Sequence, residues 1–119
     1  MSYIQGFVVP VKTSDKEAYR AFAAKVAPMF REYGATRVVE AWGVDVPDGK
    51  VTDFKRAVDA AADEAVVFAW IVWPDRATCD AAVQKMRTDE RTKADGAVPF
   101  DMQRMIFGGF ATIFDTRED

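Results

Sequence analysis

Ala65-Val66-Val67-Phe68-Ala69-Trp70-Ile71-Val72-Trp73 is a run of nine apolar residues with no polar interruption. Its length and its β-branched and aromatic content mark a strand buried on both faces, rather than a helix. Side-chain alternation sends Val66, Phe68, Trp70 and Val72 one way and Val67, Ala69, Ile71 and Trp73 the other. Extended to Pro74, the run is still about half the length of a membrane-spanning helix. No membrane association is expected.

On its C-terminal side, Pro74-Asp75 opens a helix through about Thr88, with Ala82, Val83 and Met86 on its inner face. On its N-terminal side, Thr52-Asp53 is placed to cap a short helix containing Phe54, Ala57 and Val58, and Val46-Pro47-Asp48-Gly49-Lys50 is a turn signal. Ala35 to Val46 reads as another strand. Before it, Tyr19, Phe22, Ala23, Val26, Met29, Phe30 and Tyr33 recur with helical spacing, and Gly34 is the expected stop. Ser14 and Glu17 have capping-box spacing, and Pro28 is expected to kink this helix. Tyr3 to Lys12 is the first strand, with Pro10 expected at an edge or bulge. Asp95 to Pro99 reads as loop. Gln103 to Phe114 is the last strand, with Gly108-Gly109 expected to mark a bulge or a close approach of another backbone or a ligand.

The resulting order is β-α-β-β-α-β, an α+β class with a ferredoxin-like four-stranded antiparallel sheet in a single domain over residues 1–119. Two helices cover one face of such a sheet. The other face is also apolar, and the expected cover is a second copy of the chain in a two-fold homodimer.

Composition narrows the chemistry. The chain has 119 residues, 50% of them apolar, one cysteine and no histidine. Ser-His-Asp and Cys-His nucleophiles and His-built zinc sites are therefore excluded. Cys79 has no internal disulfide partner, which fits a reducing, cytoplasmic setting. The N-terminus lacks the basic and long apolar regions of a signal peptide. Sixteen basic residues stand against nineteen acidic ones, net −3, without a basic stripe, so no nucleic-acid partner is expected. Gly108-Gly109 does not open a helix or follow phosphate-loop spacing, and no carboxylate spacing is specific for a metal. No cofactor or metal is assigned.

Several blocks resemble one family. Gly34-Ala35-Thr36-Arg37-Val38-Val39-Glu40-Ala41-Trp42-Gly43, Val46 to Phe54, Val67 to Pro74, Pro99-Phe100-Asp101 and Arg104 to Phe110 are similar to the YbaA-like bacterial proteins, a group defined by domain of unknown function 1428. The resemblance spans essentially the whole chain. It implies a dimeric α/β-barrel architecture, a fold that hosts cofactor-independent monooxygenases, isomerases and ligand-binding modules, and it implies no particular activity.

The candidate site residues gather on the second strand and beyond. Glu40 and Trp42 share a face, with Arg37 opposite. A carboxylate buried beside an indole would have a raised pKa and serve as a general base; alternatively Glu40 pairs with Arg104 or Arg37 and holds the sheet. Lys50 reaches an anionic ligand if the Gly49 turn, expected at positive φ, is a lid, and is otherwise a solvated turn residue. Asp53 is a catalytic acid or a helix cap. Arg104 grips a substrate carboxylate or enolate, or forms an interface ion pair. Trp42, Phe68 and Trp70 are the expected walls of a pocket beneath the helices, or core aromatics. The leading expectation is a homodimer that binds a small hydrophobic or aromatic metabolite, with Arg37, Glu40 and Arg104 orienting the ligand's polar end. Glu40 and Arg104 as base and enolate stabiliser of a cofactor-independent monooxygenase or isomerase is the second expectation, and an interaction protein without a ligand the third.

Overall fold

The computed structural model describes residues 2–90 and 98–117. Four strands, β1 (Tyr3–Lys12), β2 (Arg37–Trp42), β3 (Glu64–Trp73) and β4 (Ile106–Ala111), form one antiparallel sheet in the order β2-β3-β1-β4. Three helices join them: α1 (Lys16–Glu32), the single turn α2 (Phe54–Ala57) and α3 (Arg76–Met86). This is the ferredoxin-like βαββαβ arrangement, with the apolar run Ala65–Trp73 as an inner strand beside β1. The expected strand at Gln103–Phe114 is shorter, and so is that at Ala35–Val46. Part of the expected loop, Asp95-Gly96-Ala97, lies outside the described residues.

Register assigns the faces. Phe7 pairs with Ala69 and Glu40 pairs with Ala69 from the other side, so Phe7, Val9, Val67, Ala69, Ile71, Trp73, Val38, Glu40 and Trp42 point toward α1 and α3. Trp73 is fully buried and donates its indole N–H to Gln5 Oε1 at 2.9 Å, which satisfies the polar end of an otherwise apolar side chain. Cys79 and Ala82 of α3 pack against it. Burial also pushes the Cys79 thiol up, so it is a poor thiolate and packs as a small apolar side chain.

The opposite face carries Ile4, Val8, Val66, Phe68, Trp70, Val72, Ile106 and Phe110. The connection from β2 to β3 crosses onto this face. Val58, just past α2, is 2% exposed and packs against Val8 and Val66, covering one end of it. Phe54 meets Phe68 edge-on at 6.1 Å, and Phe68 tilts against Trp70 at 5.4 Å. The rest of the face is open: Phe68, Ile106 and Phe110 are all exposed.

Three local expectations change or narrow. The first helix begins at Lys16 after a 3-10 turn at Thr13–Asp15, and neither N-cap side chain accepts a hydrogen bond, so Ser14 and Glu17 make no capping box; Glu17 instead bonds Arg20 one turn on. Pro10 is not at a bulge, and its register with Val66 is continuous; β4 pairs with β1 only as far as Val8, so Pro10 lies on a locally open edge of β1, where its missing N–H costs no ladder bond. Gly108 and Gly109 are likewise in unbroken register with Gly6 and Gln5. Close approach is the reason for these glycines. A Cβ on Gly109 would stand 1.8 Å from the Tyr3 hydroxyl oxygen, and Phe110 folds its ring across Gly6 and Gly108.

Candidate functional site

α1 lies over β1 and β2 with its apolar stripe facing down, as the spacing of Tyr19, Phe22, Val26 and Phe30 requires. The helix and sheet do not close completely. Between them is a cavity of about 180 Å³ whose lining is nearly all apolar: Phe7, Val9 and Ala69 from the sheet, Phe22 and Phe30 from the helix, and Phe100 and Met105 from the segment before β4. Two polar side chains enter it, Glu40 and Tyr19.

They are bonded to each other. The Tyr19 hydroxyl donates to Glu40 Oε1 at 2.6 Å. Glu40 lies on the edge strand β2 and keeps access to solvent, yet it is crowded by apolar groups. That crowding raises its pKa above the ordinary carboxylate range, against the opposing pull of the Tyr19 hydrogen bond. Tyr19 is itself 8% exposed, and burial beside a carboxylate drives its pKa far above the usual phenol value, so it remains a donor. Phe100 stands edge-on to both Tyr19 and Phe22, at 5.8 and 5.7 Å, closing one wall. The arrangement can accept a proton or a hydrogen bond from a molecule held in an apolar pocket.

The other candidate residues disperse. Arg104 does not meet Glu40. It makes a two-pronged bond to Glu64 at 2.8 and 2.7 Å, a bond from Nε to Asp101 at 2.7 Å and one to the Asp59 carbonyl at 2.8 Å. That pairing holds the Glu64 carboxyl down at about 2. Arg37 is exposed on the opposite face, in register with Val72. The ion-pair expectation for Glu40 is therefore replaced by the Tyr19 hydrogen bond.

Trp42 shares the helix-side face with Glu40, and the Lys16 ammonium lies 5.5 Å from its ring centre. Trp42 lines a separate groove of about 430 Å³ with Val44, Asp45 and Lys55. Phe68 and Trp70 stand on the face away from Glu40, so they and Trp42 do not wall one pocket. Asp53 caps α2: its carboxylate accepts from the Arg56 backbone N–H at 2.7 Å and from the Gly49 N–H at 3.1 Å. Those hydrogen bonds lower its pKa. Lys50 is exposed beside this loop. Gly49 is not at positive φ; it is required because a Cβ would lie 2.0 Å from the Thr52 carbonyl oxygen.

Tyr19 is the site residue that sequence reading assigned to the core alone. Its hydroxyl was the available signal: a tyrosine on an inward helical stripe needs a partner for its O–H. Among the described residues, no group of three or more Cys, Asp or Glu side chains is placed to hold a metal ion, and no helix is long and apolar enough to cross a membrane.

Comparison with known proteins places this geometry in context. The family model described as "Protein of unknown function (DUF1428)" matches residues 2–102. The chain is 56% identical over 116 residues to the uncharacterized protein YbaA of Escherichia coli strain K12, covering 97% of this chain and 99% of that protein. The YbaA protein of Shigella flexneri gives the same identity and coverage. Among solved structures, a dimeric ferredoxin-like protein from an uncultured marine organism is similar in fold, with a TM-score of 0.61 at 12% identity over 98% of this chain and 100% of that one.

Proposed function

Because this chain belongs to the DUF1428 family of unknown function, we propose a role from its own cavity: it binds a small hydrophobic or aromatic molecule between α1 and the sheet. One observation carries the reading, the Glu40 carboxylate standing with Tyr19 in an otherwise apolar cavity. A cavity of that size holds a single ring with a short substituent, since about 150 Å³ of apolar space suffices for benzene. Apolar walls supply affinity, and the carboxylate fixes the orientation of the ligand's polar end. A thermal-shift screen of small metabolites on the wild type and Glu40→Gln tests this. Ring compounds carrying a hydrogen-bond donor are expected to stabilise the wild type more than the variant. Stabilisation by no compound overturns the proposal.

The working unit in this reading is a cytoplasmic homodimer joined through the open sheet face. Exposed Phe54, Phe68, Ile106 and Phe110 support it, as does the dimeric state of the fold's marine neighbour. Phe68 and Trp70 then serve the interface. Trp42, beside its own groove, and Lys50 and Asp53 in the loop that follows remain candidates for a second contact with ligand. Cys79 is the one cysteine of the sequence and is buried, so it has no internal disulfide partner, which fits a reducing compartment.

A second reading makes Glu40 a base. Its raised pKa favours proton abstraction from an activated C–H, as in a cofactor-independent isomerase or monooxygenase. Tyr19, not Arg104, is the donor beside it. Loss of deuterium exchange from phenylacetone in Glu40→Gln, relative to wild type, is the expected signature. Equal exchange by the two proteins rules the reading out.

A further inference from the structure

Resting on the binding reading above, we propose that the ligand class is an organic ammonium: a protonated amine attached to a single small ring or a compact apolar body. Three features of the cavity point the same way. First, the charge is unbalanced. Among the described residues Glu40 has no Lys or Arg ion-pair partner, and its one hydrogen bond comes from a neutral hydroxyl to Oε1, leaving Oε2 without a partner. Glu40 keeps solvent access, and its inner side borders an apolar wall, where a ligand that brings positive charge to Oε2 gains an attraction that a neutral one lacks.

Second, the lining is aromatic. Phe7, Phe22, Phe30, Phe100 and Tyr19 all border the same small space as Glu40. Ring faces attract a cation, and aromatic cages are a recurring means of gripping an organic ammonium group. Third, the nearby arginines are spent elsewhere. Arg104 is held by Glu64 and Asp101, and Arg37 lies on the other face of the sheet. Nothing in the lining is complementary to an anion, so a carboxylate or phosphate ligand would meet only Glu40 and the phenol. A neutral alcohol or phenol would satisfy Oε2 but would leave the charge uncompensated.

Calorimetric titration with three probes of matched shape tests this: 2-phenylethylamine, 2-phenylethanol and phenylacetate, each against wild type, Glu40→Gln and Phe100→Leu at neutral pH. The amine is expected to bind the wild type at least about tenfold more tightly than the alcohol, with phenylacetate weakest. Glu40→Gln is expected to erase the preference for amine by weakening the amine far more than the alcohol, and Phe100→Leu to weaken the amine more than the alcohol. Alcohol binding that equals or exceeds amine binding overturns the proposal but leaves the cavity-binding reading intact. So does a preference for amine that survives in Glu40→Gln. Binding of none of the three overturns both. Thermal melts of each variant, run alongside, separate lost binding from lost folding.

Discussion

At the scale of single residues, Glu40 dominates because its environment works against its charge. Its folded pKa lies above the 4.5 of an unstructured glutamate, so between those two values the folded state holds more protons than the unfolded one. Stability therefore falls as pH rises through that window. Glu40→Gln keeps an acceptor for Tyr19 and removes the charge. The variant is expected to match the wild type below about pH 4.5 and to melt at a higher temperature near neutrality, which melts from pH 4 to 8 will show. Solvent access to Glu40 keeps the gain small. Tyr19→Phe acts in the opposite sense. It deletes the hydrogen bond that restrains the carboxyl, so the Glu40 titration followed by carbon NMR should move further up. The sequence exposed half of this pair. Strand alternation placed Glu40 beside Trp42 on one face, but no local pattern could say that a tyrosine 21 positions earlier would stand above it. That meeting is fixed by how α1 crosses β2, a long-range fact.

At the scale of elements, the strands were legible because composition and period agree there. β1 coincides with its expected span, and β3 begins one residue earlier than its apolar run, at Glu64. Helix starts were legible where an aspartate caps them, at Asp53 and Asp75, and not at the first helix. Ser14 and Glu17 had the right spacing, yet a 3-10 turn brings the Thr13 N–H to the Asp63 carbonyl, and this tertiary bond displaces the local cap. The stop at Gly34 held, for two reasons that reinforce each other. Its φ is +114°, and a Cβ there would stand 2.7 Å from the Thr78 methyl carbon. Gly34→Ala is expected to cost more than about 1 kcal/mol in urea unfolding, and Thr78→Ser in the same chain should recover part of the loss. Arg104 is an element-scale residue as well, since it ties the segment before β4 to the start of β3 and to Asp59, whose φ of +49° puts its carbonyl within reach. Glu64 is held at about 2, below its ordinary 4.5, so this pairing stabilises the fold above about pH 4.5 and the benefit disappears as pH falls toward 2. Arg104→Gln should therefore be less stable than wild type at neutral pH, with the gap closing between pH 4.5 and 2. A gap that is constant with pH would refute the assignment.

At the scale of the whole molecule, the sheet has helices on one side and exposed aromatic rings on the other, the kind of face that a partner buries. If a second copy covers that face, the melting temperature of the wild type will rise with protein concentration. Phe68→Lys with Phe110→Lys should give a monomer in sedimentation, with the cavity on the other face still formed. A wild type that sediments as a monomer at tens of micromolar would reject the assembly. The open face was legible in the two-sided greasiness of Ala65 to Trp73; the way its end is capped was not. Val58 and Phe54 reach that face from a loop whose shape is set by Asp53 holding the Gly49 and Arg56 backbone N–H groups. The loop therefore shapes part of the open face by packing Val58 and Phe54 onto the sheet's own residues. A change at Asp53 would alter the shape of the open face from a distance, by releasing the two backbone N–H groups that hold Phe54 and Val58 in place.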